Sequence, residues 1–459
     1  MPFIKSISGF RGTIGGTPGD NLTPQDIVAC TAAFGQWILE TGGNPKIIVG
    51  RDGRISGELV GNLVVSTLRF MGLEVVDLGL STTPTVEIAV PLEQAGGGII
   101  ITASHNPREW NALKLLNSTG EFISAADGAR VLELADNGQV HYAKVDKLGA
   151  YRRDDSYIGK HIEQILALPF LNKPAIADKK FRVVVDAVNS TGAISVPPLL
   201  EKLGCEVILI NGEINGKFAH NPEPLKEHLG ELAHAVKQNK AHLGIAVDPD
   251  VDRLVFMCED GELFGEEYTL VAVADYMLAR RPGNTVSNLS STRALRDVTQ
   301  KHGGQYFAAA VGEVNVVARM KEVNAVIGGE GNGGVILPDL HYGRDALVGI
   351  ALFLSYLAES GKRISILRKT LPDYQMSKTK IERDPAIDLE KIFSALREKY
   401  RNEQLNSEDG LKIDFESGWV HLRPSNTEPI IRVYAESSSI VVAENLTKKI
   451  IQDIHELRS

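Results

Sequence analysis

Short apolar runs alternate with amphipathic stretches, and this pattern divides most of the chain into three repeats of one plan. Each repeat has a strand, a helix, a strand, a second helix and a third strand, and the three repeats begin at residues 46, 182 and 285. Strands and helices that alternate at this spacing are typical of α/β units with largely parallel sheets. The predicted fold class is therefore α/β, with three similar domains of mixed, largely parallel sheets.

The sequence changes character at about Thr370. Charged helical stretches at 389–400 and 442–457 surround apolar strands at 419–422 and 430–434. This pattern indicates a separate C-terminal α+β domain with an antiparallel sheet. We therefore expect four domains, over residues 1–147, 148–260, 261–369 and 370–459.

Each repeat ends its third strand in an unusual polar loop. The three loops are Thr102–Pro107, Asp248–Arg253 and Gly328–Gly334. Open α/β sheets bind ligands at the carboxyl ends of their strands. Three such loops at equivalent places predict that the domains surround one central cleft.

The first loop contains Ser104, followed by His105, Asn106 and Pro107. Hydrolase serine nucleophiles usually stand in a GxSxG frame, which is absent here, so acyl chemistry is not favoured. A serine at a strand end opposite a metal loop can instead carry a phosphoryl group. Taken alone, this loop is better explained as an ordinary turn, and its weight comes from the other loops.

The second loop alternates Asp248, Asp250 and Asp252. In an extended segment, alternation places three carboxylates on one face, where they repel one another unless a cation lies between them. Oxygen ligands of this kind favour Mg²⁺. Arg253 stands where an EF-hand loop needs glycine, and its guanidinium is suited to a phosphate oxygen.

The remaining loops contain groups that bind sugars and anions. Glu330 and Asn332 are flanked by glycines and can bind sugar hydroxyls, although a plain hairpin turn explains this loop almost as well. Near the C-terminus, a polar turn before a strand forms a candidate phosphate cradle. Its candidate residues are Arg423, Ser425, Asn426, Thr427 and, on the strand, Arg432.

Composition excludes several classes of protein. The net charge of −9 and the lack of a Lys/Arg-rich run argue against nucleic-acid binding. The most apolar stretch, Ala346–Ala358, is too short to span a membrane and predicts a buried helix. The N-terminus lacks the apolar core of a signal peptide. Cys30, Cys205 and Cys258 are too far apart for a CxxC site, which fits a cytoplasmic protein without disulfides.

These loops, taken in order, resemble the α-D-phosphohexomutase superfamily over nearly the whole chain. The matching motifs are TASHNP at 102–107, DxDxDR at 248–253, the GE loop at 329–333 and RPSNT at 423–427, with Ser8–Gly12 similar to the family's start. The resemblance implies a hexose phosphate substrate, one Mg²⁺ per chain and a phosphorylated Ser104. It also implies a sugar 1,6-bisphosphate as intermediate and activator.

The resemblance also implies residue roles. Ser104 and the three aspartates would hold Mg²⁺, while Arg11, Lys114 and Arg253 would supply positive charge. Lys114 is a proton carrier only if neighbouring cations depress its pKa. Many relatives carry histidine where this chain has Gly334. His341 is a candidate substitute, while a structural histidine explains it at least as well, and His105 can serve only if its ring faces the cleft.

The GEGNGG loop is similar to that of a branch grouped with phosphoglucosamine mutases. This favours conversion of glucosamine 6-phosphate to glucosamine 1-phosphate, for UDP-N-acetylglucosamine synthesis. Phosphomannomutase/phosphoglucomutase activity is the alternative, and a Mg²⁺-dependent sugar phosphatase or a sugar-phosphate-binding protein is more distant. The sequence leaves monomer and homodimer open.

Overall fold

The computed structural model describes residues 3–6, 9–382, 389–424 and 430–456. Its strands form four sheets, of seven, four, four and five strands. The first three sheets contain parallel and antiparallel pairs, and the fourth is antiparallel throughout. The predicted fold class is confirmed.

The first unit is a seven-stranded sheet in the order β1-β2-β6-β5-β3-β4-β7. Its strands are β1 Ile4–Ser6, β2 Gly9–Thr13, β3 Lys46–Arg51, β4 Glu74–Leu80, β5 Gly97–Ile101, β6 Trp110–Leu116 and β7 Tyr151–Arg153. Its helices are α1 Pro24–Glu40, α2 Gly57–Phe70, α3 Thr83–Leu92 and α4 Ala125–Asn137. Strand β7 pairs in parallel with β4, so this sheet extends past residue 147. We propose a first domain that ends near residue 154.

The second and third units each have a four-stranded sheet, ordered β11-β10-β8-β9 and β13-β12-β14-β15. The second contains α5 Tyr157–Leu166, α6 Lys173–Lys179, β8 Arg182–Asp186, α7 Gly192–Lys202, β9 Glu206–Ile210, α8 Gly230–Gln238, β10 Leu243–Val247 and β11 Leu254–Cys258. The third contains α9 Glu266–Leu278, β12 Asn284–Asn288, α10 Ala294–Lys301, β13 Tyr306–Ala309, α11 Glu313–Glu322, β14 Ala325–Glu330, β15 Gly334–Ile336, α12 Ala346–Ser360 and α13 Ile364–Arg368.

One apolar core joins the second and third units. It includes side chains of β8, β10 and β11 from the second unit, with α9 and α12 from the third. Helix α12 is the apolar stretch that the sequence predicts as a buried helix, and most of its side chains are fully buried. Because the two units share this core, the loops at the ends of β10 and β14 have a fixed separation.

The C-terminal unit is a five-stranded sheet in the order β16-β20-β19-β18-β17. Its elements are β16 Gln375–Glu382, α14 Leu389–Lys399, β17 Gln404–Asn406, β18 Leu411–Phe415, β19 Gly418–Pro424, β20 Ile430–Ser437 and α15 Ile440–Glu456. One face packs on α14 and α15. On the opposite face, Arg423 lies directly across from Arg432, and Lys380 follows on β16.

Candidate active site

Ser104 lies in a tight turn after β5. Its φ of 49° is in the left-handed region, which is uncommon for residues other than glycine and is often found at functional sites. The Thr102 hydroxyl accepts a hydrogen bond from the Ser104 amide (2.9 Å). The Ser104 hydroxyl donates to Asp248 Oδ2 (2.7 Å), which joins the first predicted loop to the second.

A buried arginine that the sequence argument missed supports this turn from behind. The Arg54 guanidinium donates to four backbone carbonyl oxygens of the turn and its exit, at 2.5–2.9 Å, and to Asp52 Oδ2 (3.0 Å). The four carbonyls belong to Ser104, Asn106, Pro107 and Trp110. Arg54 directly follows a polar loop at the carboxyl end of β3, and its place at this strand end is the feature of the sequence that could have marked it as a site residue.

The three aspartates converge for a different reason from the predicted one. The segment between β10 and β11 is a turn rather than an extended strand, and Val251 within it has a φ of 62°. A β-branched residue in the left-handed region is strained. The prediction of one cluster is confirmed, since carboxylate oxygens of Asp248, Asp250 and Asp252 lie within 4.8 Å of one another. The reasoning from extended alternation was wrong.

Both carboxylate oxygens of Asp248 accept hydrogen bonds, whereas Asp250 and Asp252 are each held through Oδ2 alone. Asp248 Oδ1 accepts the amides of Asp252 and Arg253 (both 3.1 Å). Asp250 Oδ2 accepts the Thr83 hydroxyl (2.6 Å) from the first unit. Asp250 Oδ1 and Asp252 Oδ1 are buried and lack a hydrogen-bond partner among the described residues. Buried oxygens of this kind beside a third carboxylate fit a hard divalent cation such as Mg²⁺.

The electrostatics of the trio support the same interpretation. Burial, with the charges of Asp252 and Asp250, raises the pKa of Asp248 well above its ordinary value. Burial also acts to raise the pKa of Asp252, but Arg344 and Lys114 outweigh it and lower that pKa. Three buried carboxylates of this kind are stabilised when a cation lies among them.

Lys114 does not meet the condition set for a proton carrier. Its ammonium donates to Asp250 Oδ2 (2.7 Å) and to Asp252 Oδ2 (3.4 Å), and the residue is buried. Burial would lower the pKa of Lys114, but these two aspartates outweigh it and raise the pKa instead. Lys114 therefore holds the metal loop as a cation, and the condition for its role as a proton carrier is not met.

Glu330 ends β14 with both carboxylate oxygens engaged. Oε1 accepts Asn288 Nδ2 (2.8 Å) and the Gly312 amide (3.1 Å), and Oε2 accepts Arg344 Nη1 (2.8 Å). Asn332 Oδ1 accepts the Gly334 amide (3.3 Å). Asn288 and Arg344 are further site residues that the sequence argument did not identify.

These groups surround a cleft of about 1140 Å³. Arg11, His105 and Arg253 line one side, with Glu330 and Asn332 beside them, and Arg423 and Arg432 line the side formed by the C-terminal sheet. Ser425, Asn426 and Thr427 of the predicted phosphate cradle lie outside the described residues. Seven of the sixteen predicted site residues thus line this cleft, and Ser104, Lys114 and the three aspartates are buried.

His105 and Arg11 approach the serine turn from the cleft. His105 Nδ1 is 3.4 Å from Ser104 Oγ, and Arg11 Nη1 donates to Asn106 Oδ1 (2.9 Å). Burial and the cations Arg253 and Arg11 lower the pKa of His105 well below its ordinary value. A neutral imidazole beside the serine hydroxyl is a hydrogen-bond acceptor.

His341 is a structural histidine and is not among the residues that line the cleft. Its imidazole is buried between the carboxylates of Asp345 and Glu87. Nε2 lies 3.3 Å from Asp345 Oδ2, and Nδ1 lies 3.3 Å from Glu87 Oε2. His161 Nε2 lies 2.8 Å from the same Asp345 oxygen. Glu87 belongs to α3 and His161 to α5, so His341 joins elements of three units.

This histidine contact makes the stability of the chain depend on pH. Burial would lower the pKa of His341, but the hydrogen bond to Asp345 and the charge of the nearby Glu87 outweigh burial and raise the pKa from 6.5 to about 10. A histidine whose pKa is higher in the folded than in the unfolded state stabilises the fold fully at pH values below the unfolded-state pKa. This stabilisation is lost as the pH rises through the folded-state pKa. The contribution, on the order of 2 kcal/mol, should therefore fall between pH 6.5 and about 10.

Melting temperatures of the wild type and of His341→Gln across that range check this expectation. The difference in melting temperature between the wild type and His341→Gln should be largest at the acid end of the range and should become smaller as the pH rises. The matched control is His234→Gln, because His234 is exposed on α8. A difference for His341→Gln that stays constant with pH would contradict the charged contact.

The Ser104 hydroxyl lies beside the aspartate trio, in a chain of three α/β units and one α+β unit. This combination of fold and site is typical of a class of four-domain α/β proteins whose cleft binds phosphate. The chain belongs to the phosphoglucomutase/phosphomannomutase family of the α-D-phosphohexomutase superfamily. Residues 4–140, 159–261 and 265–374 match its alpha/beta/alpha domains I, II and III, and residues 379–452 match its C-terminal domain.

Relatives and solved structures agree with this family. A phosphoglucomutase/phosphomannomutase of Thermococcus kodakarensis is 37% identical over 435 residues, which are 93% of this chain and 94% of the relative. A phosphoglucosamine/phosphogalactosamine mutase of Sulfurisphaera tokodaii is 32% identical, with 98% of this chain and 100% of the relative covered. A crystal structure of a phosphoglucomutase/phosphomannomutase family protein from Burkholderia thailandensis superposes with a TM-score of 0.87 at 26% identity, over 99% and 97% of the two chains.

Among the described residues, no helix combines the length and apolar character that crossing a membrane requires. The three cysteines are buried free thiols, as their spacing predicts.

Proposed function

We propose that this chain is a phosphohexomutase that interconverts hexose 6-phosphates and hexose 1-phosphates, with hexosamine phosphate as its main substrate. The observation that carries the proposal is the hydrogen bond from Ser104 Oγ to Asp248 Oδ2 (2.7 Å), next to a cleft that Arg423 and Arg432 also line. A phosphoryl acceptor, a site for a divalent cation and two guanidinium groups in the same cleft are what a sugar with two phosphates requires.

In this proposal, Ser104 carries the phosphoryl group and passes it to the free hydroxyl of the bound sugar phosphate. The resulting bisphosphate turns over in the cleft and returns its other phosphate to Ser104. Arg423 and Arg432 hold the phosphate that is not reacting, and Glu330, held by three donors, positions the sugar hydroxyls. Fixed positions matter because phosphoryl transfer depends on alignment and neutralised charge.

The aspartate trio and the Ser104 oxygen would hold Mg²⁺. The ion supplies charge neutralisation on phosphate oxygens when it is bound. Lys114 holds two of the aspartates through their Oδ2 atoms, and Arg253 lines the cleft beside the trio.

Carboxylates near the sugar position support an amino sugar. Glu330 and Glu266 line the cleft, paired with Arg344 and Lys378, and their carboxylates also attract the ammonium group of glucosamine. The relative of Sulfurisphaera tokodaii is named for glucosamine and galactosamine phosphates. The second candidate, glucose or mannose phosphates, is supported by the 37% identity to the Thermococcus kodakarensis protein.

Turnover of glucosamine, glucose and mannose 6-phosphates, each with its matching 1,6-bisphosphate as activator, tests the proposal. We expect all three to react and glucosamine 6-phosphate to have the highest kcat/KM, by about tenfold from one added ion pair. Equal values would remove the hexosamine preference but leave the mutase. Release of free phosphate without any 1-phosphate product would instead favour the sugar phosphatase.

A further inference from the structure

Arg344 is placed to connect the metal loop with the sugar loop. Its guanidinium donates from Nη2 to Asp252 Oδ2 (2.7 Å), from Nη1 to Glu330 Oε2 (2.8 Å) and from Nε to Glu313 Oε2 (2.8 Å). The residue is 8% exposed and lines the cleft. All three nitrogens are therefore committed, each to a carboxylate on a different segment of the chain.

The backbone that directly follows Arg344 is fixed by hydrogen bonds. The Asp345 amide donates to Val335 O (2.8 Å), and the Ala346 amide donates to Val251 O (3.2 Å) in the metal loop. Asp345 also caps α12, since its Oδ1 accepts the amides of Leu347 and Val348. A guanidinium is a rigid fork, so from this fixed backbone it cannot follow one carboxylate without leaving another.

Gly334 leaves the space that the Arg344 stem occupies. A Cβ at Gly334 would lie 2.4 Å from Arg344 Cδ and 2.9 Å from Cγ, and both atoms belong to the middle of a side chain pinned at its end. Gly334 lies in β15 and its φ is outside the left-handed region, so its backbone does not require glycine. The absence of a side chain at Gly334 thus makes room for the side chain of Arg344.

We propose that Arg344 is a positioning residue that ties the aspartate trio to Glu330 and so couples cation binding to sugar binding. The inference rests on the proposed function. Arg344 holds Glu330 in place for sugar hydroxyls. Its positive charge lies against Asp252 Oδ2, while Asp252 Oδ1 has no hydrogen-bond partner among the described residues. The guanidinium therefore favours the sugar site and, by like-charge repulsion, weakens the cation site.

Opposite changes in two affinities test this role. In Arg344→Gln, we expect Mn²⁺ alone, followed by calorimetry or electron paramagnetic resonance, to bind about threefold more tightly because a nearby cation is gone. Glucosamine 6-phosphate should bind about tenfold more weakly, because Glu330 loses a charged partner. Arg344→Lys keeps the charge but not the fork, so only sugar-phosphate binding should weaken.

Gly334→Ala provides a second variant in which every charge remains. Its added methyl displaces the Arg344 stem, so glucosamine 6-phosphate should bind more weakly while Mn²⁺ affinity changes less than in Arg344→Gln. The matched control is Arg319→Gln, which removes an arginine from α11 that pairs with Glu322 and Glu408 away from the cleft. Melting temperatures show whether each variant is folded.

The outcomes separate this inference from the proposed function. Wild-type affinities for both ligands in folded Arg344→Gln would overturn the role of Arg344 alone, as would a parallel loss of both affinities. Wild-type protein that binds Mn²⁺ but neither binds nor converts any hexose phosphate would overturn the proposed function, and the coupling with it.

Discussion

Ser104→Ala is expected to remove mutase activity, by about 10⁴-fold or more, because the phosphoryl group loses its acceptor. Intact mass and peptide mapping should show phosphate on the Ser104 peptide of the wild type after incubation with a sugar bisphosphate, and none on the variant. The change is small in structural terms, since it removes one hydroxyl that donates to Asp248.

Ser195→Ala is the matched control for this experiment. Ser195 is also fully buried, and its hydroxyl donates to the Thr191 carbonyl (2.9 Å) within α7. Losing that hydroxyl should cost about 1 kcal/mol of stability and leave turnover unchanged. Turnover by Ser104→Ala within tenfold of the wild type would contradict a phosphoserine and leave the chain without its proposed mechanism.

Removal of the divalent cation is expected to have the second largest effect. Exhaustive chelation should reduce turnover by about 10³-fold, and added Mg²⁺ should restore it, because buried carboxylates then face phosphate without neutralisation. Asp250→Asn should weaken Mn²⁺ binding by about 100-fold, since the amide removes one negative charge from the trio.

Asp250 is the informative aspartate because its side-chain contacts to protein use Oδ2 alone and, unlike those of Asp252, do not include Arg344. An asparagine can still accept from Thr83 and Lys114 through its amide oxygen, so the turn should keep its shape. Asp260→Asn is the control, because Asp260 is exposed just after β11. Full turnover after chelation, confirmed by metal analysis, would exclude an essential cation at the trio.

The repeated architecture was predictable because each unit obeys local rules. The strand that ends before Ser104 and the buried helix α12 were predicted from apolar runs, and both are present. The three polar loops were predicted to share a cleft because parallel strands place their carboxyl ends together. Residues from all three loops line the cleft in the structure.

The contacts that hold the loops were beyond sequence reasoning. Thr83, Arg54 and Arg344 act on loops 167, 50 and 92 residues away, respectively, and no local pattern marks such pairs. The left-handed backbones of Ser104 and Val251 run against residue preference, so surrounding contacts must impose them. From its chemistry, His341 was a candidate for the cleft as much as a structural histidine, and contacts between units decide for the structural role.

Arg423 and Arg432 face each other across the ladder between β19 and β20. Side chains of a strand alternate between its two faces, so adding or deleting one residue within β20 would turn Arg432 inward toward α14 and α15 and bring an apolar side chain to the cleft. Natural variation in β20 should therefore keep the parity of the strand fixed, so that the position of Arg432 stays on the face toward the cleft.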